Sequence, residues 1–221
     1  MVTLAIDTST QRGAVALLRD DKPVAEETFT RADPRQNLFY ALRQLSLEPA
    51  KLDLIVVGIG PGSFTGIRGG IAAAKGLALP RSVPIKPVCS FDAVALAALP
   101  KMPRDCLQLC VLCDARRDEV YSAIYDLHGR RDRDCRISPL EALADELHNP
   151  VWFVSPQIER FGAALREQFG GFASVCDEPV YPSAAALGRL GVRQFEADGR
   201  RGDAKLEPIY LHTPEYKKAG R

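Results

Sequence analysis

The chain has 221 residues, enough for one large domain or two small ones, and is 46% hydrophobic and 26% charged, the balance of a soluble globular protein. Its net charge of +1 excludes a protein that coats nucleic acid through charge alone. No apolar run approaches the roughly 20 residues of a membrane helix. The N-terminus, "MVTLAIDTST", lacks the basic and apolar regions of a secretory signal, so a cytoplasmic protein is expected.

In chain order, "VTLAID" (Val2–Asp7) is a short buried strand ending in an acid. "GAVALLR" is a second strand, "DDK" closes a hairpin, and "PVAEETFT" is a third. "DPRQNLFYALRQLSL" then predicts an amphipathic helix over 34–47, with Asp33 as N-cap, Pro34 in its first turn and Leu38, Leu42 and Leu45 on one face. "LDLIVVGIG" is unbroken and Val/Ile-rich, as a central parallel strand tends to be. "SFTGIRGGIAAAKGLAL" predicts a helix stopped at Pro80, "VPIKPVC" a short strand, and "SFDAVALAAL" a third helix capped by Ser90.

"PKMPRD" (Pro100–Asp105) reads as a linker between a unit at 1–99 and another at 106–221. The order then restarts: strands at "LQLCVLCD", "EVYSAIYD" and "DCRIS", a helix at "SPLEALADEL" with Ser138 as its cap, strand "VWFVS", helix "PQIERFGAALREQF", strand "FASVCD" and helix "SAAALGRLGVRQFEA". Both halves thus repeat one element order, with Asp7 and Asp114 in matching turns, and we read this as an internal duplication. Two mixed sheets with helices on their faces would form a cleft lined by the two aspartate turns.

The segment "LIVVGIGPGSFTGIRGG" (Leu54–Gly70) is a strand, a glycine loop and a helix start, the layout that often holds phosphate. It is neither a P-loop, lacking Gly-Lys-Ser/Thr at the required spacing, nor a G-x-G-x-x-G turn, since Ser63 and Thr65 stand where the third glycine would fall. Two readings remain: close packing of a small-residue helix face, or contact with phosphate.

Asp7 with Thr8 and Ser9 could orient a metal-bound phosphate, or cap its own turn. Asp114 with Arg116 and Arg117 reads as an anion site or a charged hairpin. The cluster "HGRRDRDCR" (His128–Arg136) reads first as a solvated turn and second as a contribution to RNA contact. Of six cysteines, Cys110 and Cys113 lie three apart on a strand and face opposite sides, so they are structural thiols rather than a metal pair. Only His128, His148 and His212 are present, none in a zinc spacing, and no nucleophile–base set can be assembled.

At "GPGSFTGIRGG" followed by "AKGLA", the chain resembles the TsaB (YeaZ) family, and "LAIDTST", "CDARRDEVYSAIY" and "EPIYLH" fit in order along its whole length. The resemblance implies an α/β chain of actin-like ATPase (ASKHA) fold, with two ribonuclease-H-like subdomains built on mixed five-stranded sheets flanked by helices. It implies a non-catalytic scaffold that works with TsaD and TsaE to make threonylcarbamoyladenosine next to the anticodon of tRNAs reading codons that begin with A. TsaD-type proteins carry an H-x-x-x-H metal pair where Ser90 and Val94 stand here, so no metal is expected. No cofactor is assigned to the chain alone, ATP or ADP belonging to the complex.

The implied partner face is a pair of helices carrying Leu38, Leu42, Leu45, Phe64, Gly66, Ile67, Gly69, Gly70, Ala73 and Ala74, with Arg68 and Lys75 at its edge. It would meet TsaD, and a second copy when TsaD is absent; tRNA would be reached through the complex. One departure stands out: many members have a His-Ser pair at the start of the first helix, where this chain has "DPRQNLF". Two rivals stay open, an active ATPase or phosphotransferase built on Asp7 and Asp114, and a metal-dependent glycoprotease-like peptidase.

Overall fold

The computed structural model describes residues 1–30, 32–33, 35–46, 48–203 and 205–211. Pro34, Leu47 and His212 lie outside them. In the first half, β1 (Val2–Asp7), β2 (Arg12–Arg19), β3 (Lys22–Thr30), β4 (Leu54–Gly58) and β5 (Ile85–Val88) form one sheet in the order β3-β2-β1-β4-β5. In the second, β6 (Gln108–Arg116), β7 (Glu119–Tyr125), β8 (Arg136–Pro139), β9 (Val151–Val154) and β10 (Ala173–Val175) form a sheet ordered β10-β9-β6-β7-β8. Read from the opposite edge this is the same topology, an antiparallel meander continued by two parallel strands. The duplicated element order therefore corresponds to a duplicated sheet.

The strand chemistry follows this layout. β1 and β4 are central and buried on both faces, which selects the unbroken apolar runs. β5 carries Pro87, tolerated because the strand lies at a sheet edge. The β2–β3 hairpin turns through Asp20 and Asp21, at φ 49° and 69°, the left-handed pair of a two-residue hairpin loop.

The helices are α1 (Leu38–Gln44), α2 (Phe64–Ala78), α3 (Ser90–Ala98), α4 (Ile158–Phe169) and α5 (Ala184–Ala197). α1 starts later than its pattern predicts. Asn37, not Asp33, is the cap, its side chain accepting from the Tyr40 amide at 3.1 Å, while Asp33 closes a local turn onto the Arg35 amide. The stretch predicted as a helix after Ser138 is the end of β8 followed by 3₁₀ turns at Leu140–Asp145. Ser138 and Pro139 pair with Val120 and Glu119 of β7, and that ladder holds them out of a helix.

The two halves pack through helices. α3 buries Phe91, Val94 and Ala98 against the second sheet, while Ala93 packs with the first. α5 follows β10 in chain order, within the 106–221 span, but packs on the first sheet. Gly188 lies over Leu18 and Ala5, Gly191 over Val56, and any side chain at either glycine would collide. Glu26 of β3 fixes its start, accepting from the Ser183 hydroxyl at 3.0 Å and the Ala185 amide at 3.1 Å. Beyond it, the buried Lys86 holds Asp198 at 2.6 Å and Asp203 at 3.1 Å; burial disfavours its charge, and the two carboxylates overcome that and raise its pKa.

Candidate functional site

The glycine loop and the end of β1 form one closed cluster. Asp7 is 1% exposed. Its Oδ1 accepts from the Ser9 amide (2.9 Å) and hydroxyl (2.6 Å), and its Oδ2 from the Ser90 hydroxyl (2.6 Å). Ser90 also accepts from the Gly60 amide at 3.1 Å and donates its own amide to the Gly60 carbonyl at 2.8 Å. Gly58 is glycine because a Cβ there would sit 2.0 Å from the Asp7 carboxylate. Burial pushes the Asp7 pKa above the ordinary carboxylate range, against the lowering effect of the Ser9 and Ser90 hydrogen bonds.

Ser90 is therefore not the cap of α3, a place taken by Cys89, but the clamp between Asp7 and the loop. Val94 is buried in the core. Thr8 fills the space above α2: its hydroxyl donates to the Gly66 carbonyl at 2.7 Å and occupies the volume a Cβ on Gly70 would need. Gly62, at φ 150°, lies against the Ser9 carbonyl, which accepts from the Ser63 amide at 2.7 Å. The turn is filled by its own side chains, and these residues do not fit a nucleotide phosphate at Asp7. Among the described residues, no group of three His, Cys, Asp or Glu side chains could hold a metal ion.

Asp114 does not mirror Asp7. β1 pairs with β4 as far as Ile6, so Asp7 is the next residue out; β6 pairs with β9 as far as Val111, so Asp114 is the third. The strand continues past its parallel partner and carries the acid to a partly exposed position, where Arg160 of α4 donates to it at 2.7 Å. Arg116 ends β6 opposite Glu119, and Arg117 and Asp118 form the tip of the β6–β7 hairpin, all three left-handed with φ 68°, 53° and 61°. The two aspartates thus differ in setting: Asp7 is enclosed by its own turn, and Asp114 is partly exposed and ion-paired. The His128–Arg136 segment is knitted into the fold by ion pairs from Arg131 to Asp92 and from Arg133 and Arg136 to Glu146.

The open apolar feature lies between α1 and α2, a groove of about 720 Å³. Of the residues predicted for a partner face, Leu38, Gly66, Gly69, Gly70 and Ala73 line it, and Phe64 stands beside it, 53% exposed. Leu42, Leu45, Ile67 and Ala74 do not: they are at most 7% exposed and belong to the core against the first sheet. The apolar spacing puts these residues on one face of each helix, whereas the chain's own sheet covers part of that face. Phe39, 67% exposed, is the large groove residue that the periodicity missed; it follows Leu38 directly, off the apolar stripe.

Arg68 stacks over Phe64 at 4.3 Å and donates to the Tyr210 hydroxyl at 3.2 Å. Tyr210 itself lies 5.5 Å from the Phe64 ring, carried there by the Ile209 amide on the Ile59 carbonyl. A second cleft of about 770 Å³ runs between β2–β3 and segment 176–183. Two of its charged groups serve the fold: Arg12 lies over Tyr181, and Glu26 caps α5.

Two ribonuclease-H-like units joined this way, with a strand–glycine loop–helix running from β4 into α2, define an α/β protein of the actin-like ATPase fold. The family model described as TsaD, tRNA N6-adenosine threonylcarbamoyltransferase, matches residues 36–162. The chain is 37% identical to the tRNA threonylcarbamoyladenosine biosynthesis protein TsaB of Bacillus subtilis over 97% of its own length and 96% of the relative's. It is also 37% identical to TsaB of Haemophilus influenzae, over 96% and 94%. The structure of YeaZ from Pseudomonas aeruginosa superposes with a TM-score of 0.77 at 27% identity, covering 95% of this chain and 99% of that one. The chain belongs to the TsaB (YeaZ) branch of the TsaD family.

Among the described residues no helix is long and apolar enough to cross a membrane.

Proposed function

We propose that this chain is a non-catalytic scaffold subunit that acts with TsaD and TsaE in forming threonylcarbamoyladenosine next to the anticodon of tRNA. The names of its relatives in Bacillus subtilis and Haemophilus influenzae support the pathway. The observation that carries the scaffold role is the groove between α1 and α2, flanked by exposed Phe39 and Phe64. An apolar face of this kind on a small-residue helix suits a partner helix pair. TsaD is the occupant proposed, and a second copy of the chain would use the same face in its absence. No nucleotide is assigned to the chain alone, because both oxygens of Asp7 are engaged inside the fold.

The test mixes the purified chain with its cognate TsaD, measures mass by light scattering, and assays tRNA modification with TsaE and threonylcarbamoyl-adenylate. A heterodimer and a requirement for this chain are expected. Gly69 and Gly76 lie on the exposed face of α2, where an added Cβ would meet nothing within 4 Å. Gly69→Arg and Gly76→Arg should therefore abolish both complex and modification while leaving the melting temperature unchanged. Nucleotide hydrolysis by the isolated chain, without complex formation, would sink the scaffold reading in favour of the phosphotransferase one.

A further inference from the structure

We propose that Cys89 and Cys135 form an oxidation site, at which a peroxide converts two free thiols into a disulfide tying the first half of the chain to the second. Cys89 follows β5 at the start of α3, and Cys135 directly precedes β8, 46 residues later. Their Sγ atoms lie 3.6 Å apart. A disulfide is about 2.05 Å long, so closure requires about 1.5 Å of approach, within the reach of side-chain rotation. Both residues are free cysteines, 7% and 6% exposed, so a small oxidant has an edge to approach while larger thiol reagents do not.

The neighbours divide the roles. Arg131 Nη1 donates to the Cys135 sulfur at 3.4 Å. The hydrogen bond from the Cys89 thiol, and then Arg131, hold the Cys135 thiol below its ordinary value despite burial. Asp92 opposes them, itself paired with Arg131 at 3.4 Å and accepting from the Tyr125 hydroxyl at 2.8 Å. By contrast, burial pushes the Cys110 and Cys113 thiols far up, and they stay inert.

The chemistry balances. The Cys135 thiolate attacks one oxygen of hydrogen peroxide; the S–O bond forms, the O–O bond breaks, and the leaving hydroxide takes a proton to become water. The Cys89 sulfur then attacks the sulfenic sulfur; the S–S bond forms, the S–O bond breaks, and hydroxide leaves with the Cys89 proton as a second water. Two thiols are oxidised and one peroxide is reduced.

The experiment treats the reduced full chain with hydrogen peroxide, removes the oxidant, and counts free thiols by alkylation under denaturing conditions. Four of the six should remain. Peptide mass mapping should join the Cys89 and Cys135 peptides with the loss of two hydrogens, and dithiothreitol should restore six. The melting temperature should rise by about 5 °C on oxidation, since the link closes a long loop. In Cys89→Ser a sulfenic acid should accumulate at Cys135, trapped by dimedone when the oxidised chain is unfolded in its presence. Cys176→Ser, which alters the more exposed thiol, should link as the parent does. Persistence of six thiols, a link through Cys106 or Cys176, or overoxidation of Cys135 without a link would each overturn the proposal.

Discussion

Asp7 lies one residue beyond the parallel register of its sheet, and Asp114 lies three beyond. That offset separates two acids at matching places in the repeated element order, Asp7 at the end of β1 and Asp114 inside β6. Asp7 is drawn under the glycine loop, where Ser9 and Ser90 close over it. Asp114 emerges at the rim and meets Arg160. A duplicated fold can thus keep an acid in both copies while one copy uses it to lock a loop and the other to pair a surface arginine.

The sharpest way to break the symmetry of the halves is through their covering helices. Gly191→Leu on α5 places carbon where Val56 stands, 2.4 Å from the Cβ position, and should cost about 3 kcal/mol or more, read as a lower denaturant midpoint. Gly58→Ala should follow at about 2–3 kcal/mol, because its Cβ meets the Asp7 carboxylate and Ser90 with no slack.

Next is a pH effect. Burial raises the pKa of Asp7, so the folded chain keeps a proton that the unfolded chain has released. The stability this group contributes is full below the ordinary carboxylate value near 3.8 and is lost as pH rises through the higher folded value. Asp7→Asn should remove that part of the slope, seen by comparing denaturation midpoints from pH 4 to 7. Asp114→Asn should matter less than Asp7→Asn, below about 1 kcal/mol, since its ion pair is half in water. Gly162→Ala on α4 should be neutral or slightly stabilising: the nearest atom to its Cβ is the tip of Arg166, which can move, and alanine favours helix.

Much of this architecture was legible in the residues. Turn chemistry, the apolar runs of β1 and β4 and the repeated element order pointed to two similar mixed sheets, and the glycine-loop stretch pointed to the family. What escaped was decided by contacts distant in sequence. Ser90 looks like a cap because it precedes a helix; its hydroxyl serves Asp7, 83 residues away. Leu42 and Ile67 are apolar at helical spacing whether a partner or the chain's own sheet covers them. The docking of α5 on the first sheet rests on Gly188 and Gly191, whose small size is readable but whose counterparts, Leu18 and Val56, are not.

That docking sets an order of events during synthesis. β1, β2 and β4 emerge from the ribosome early, but the helix that covers Ala5, Leu18 and Val56 is encoded at 184–197. Until residues 184–197 have been made, that face of the first sheet lacks its α5 cover. The nascent chain must carry that apolar surface through translation, and a chain cut short before residue 184 would retain it as an aggregation-prone face.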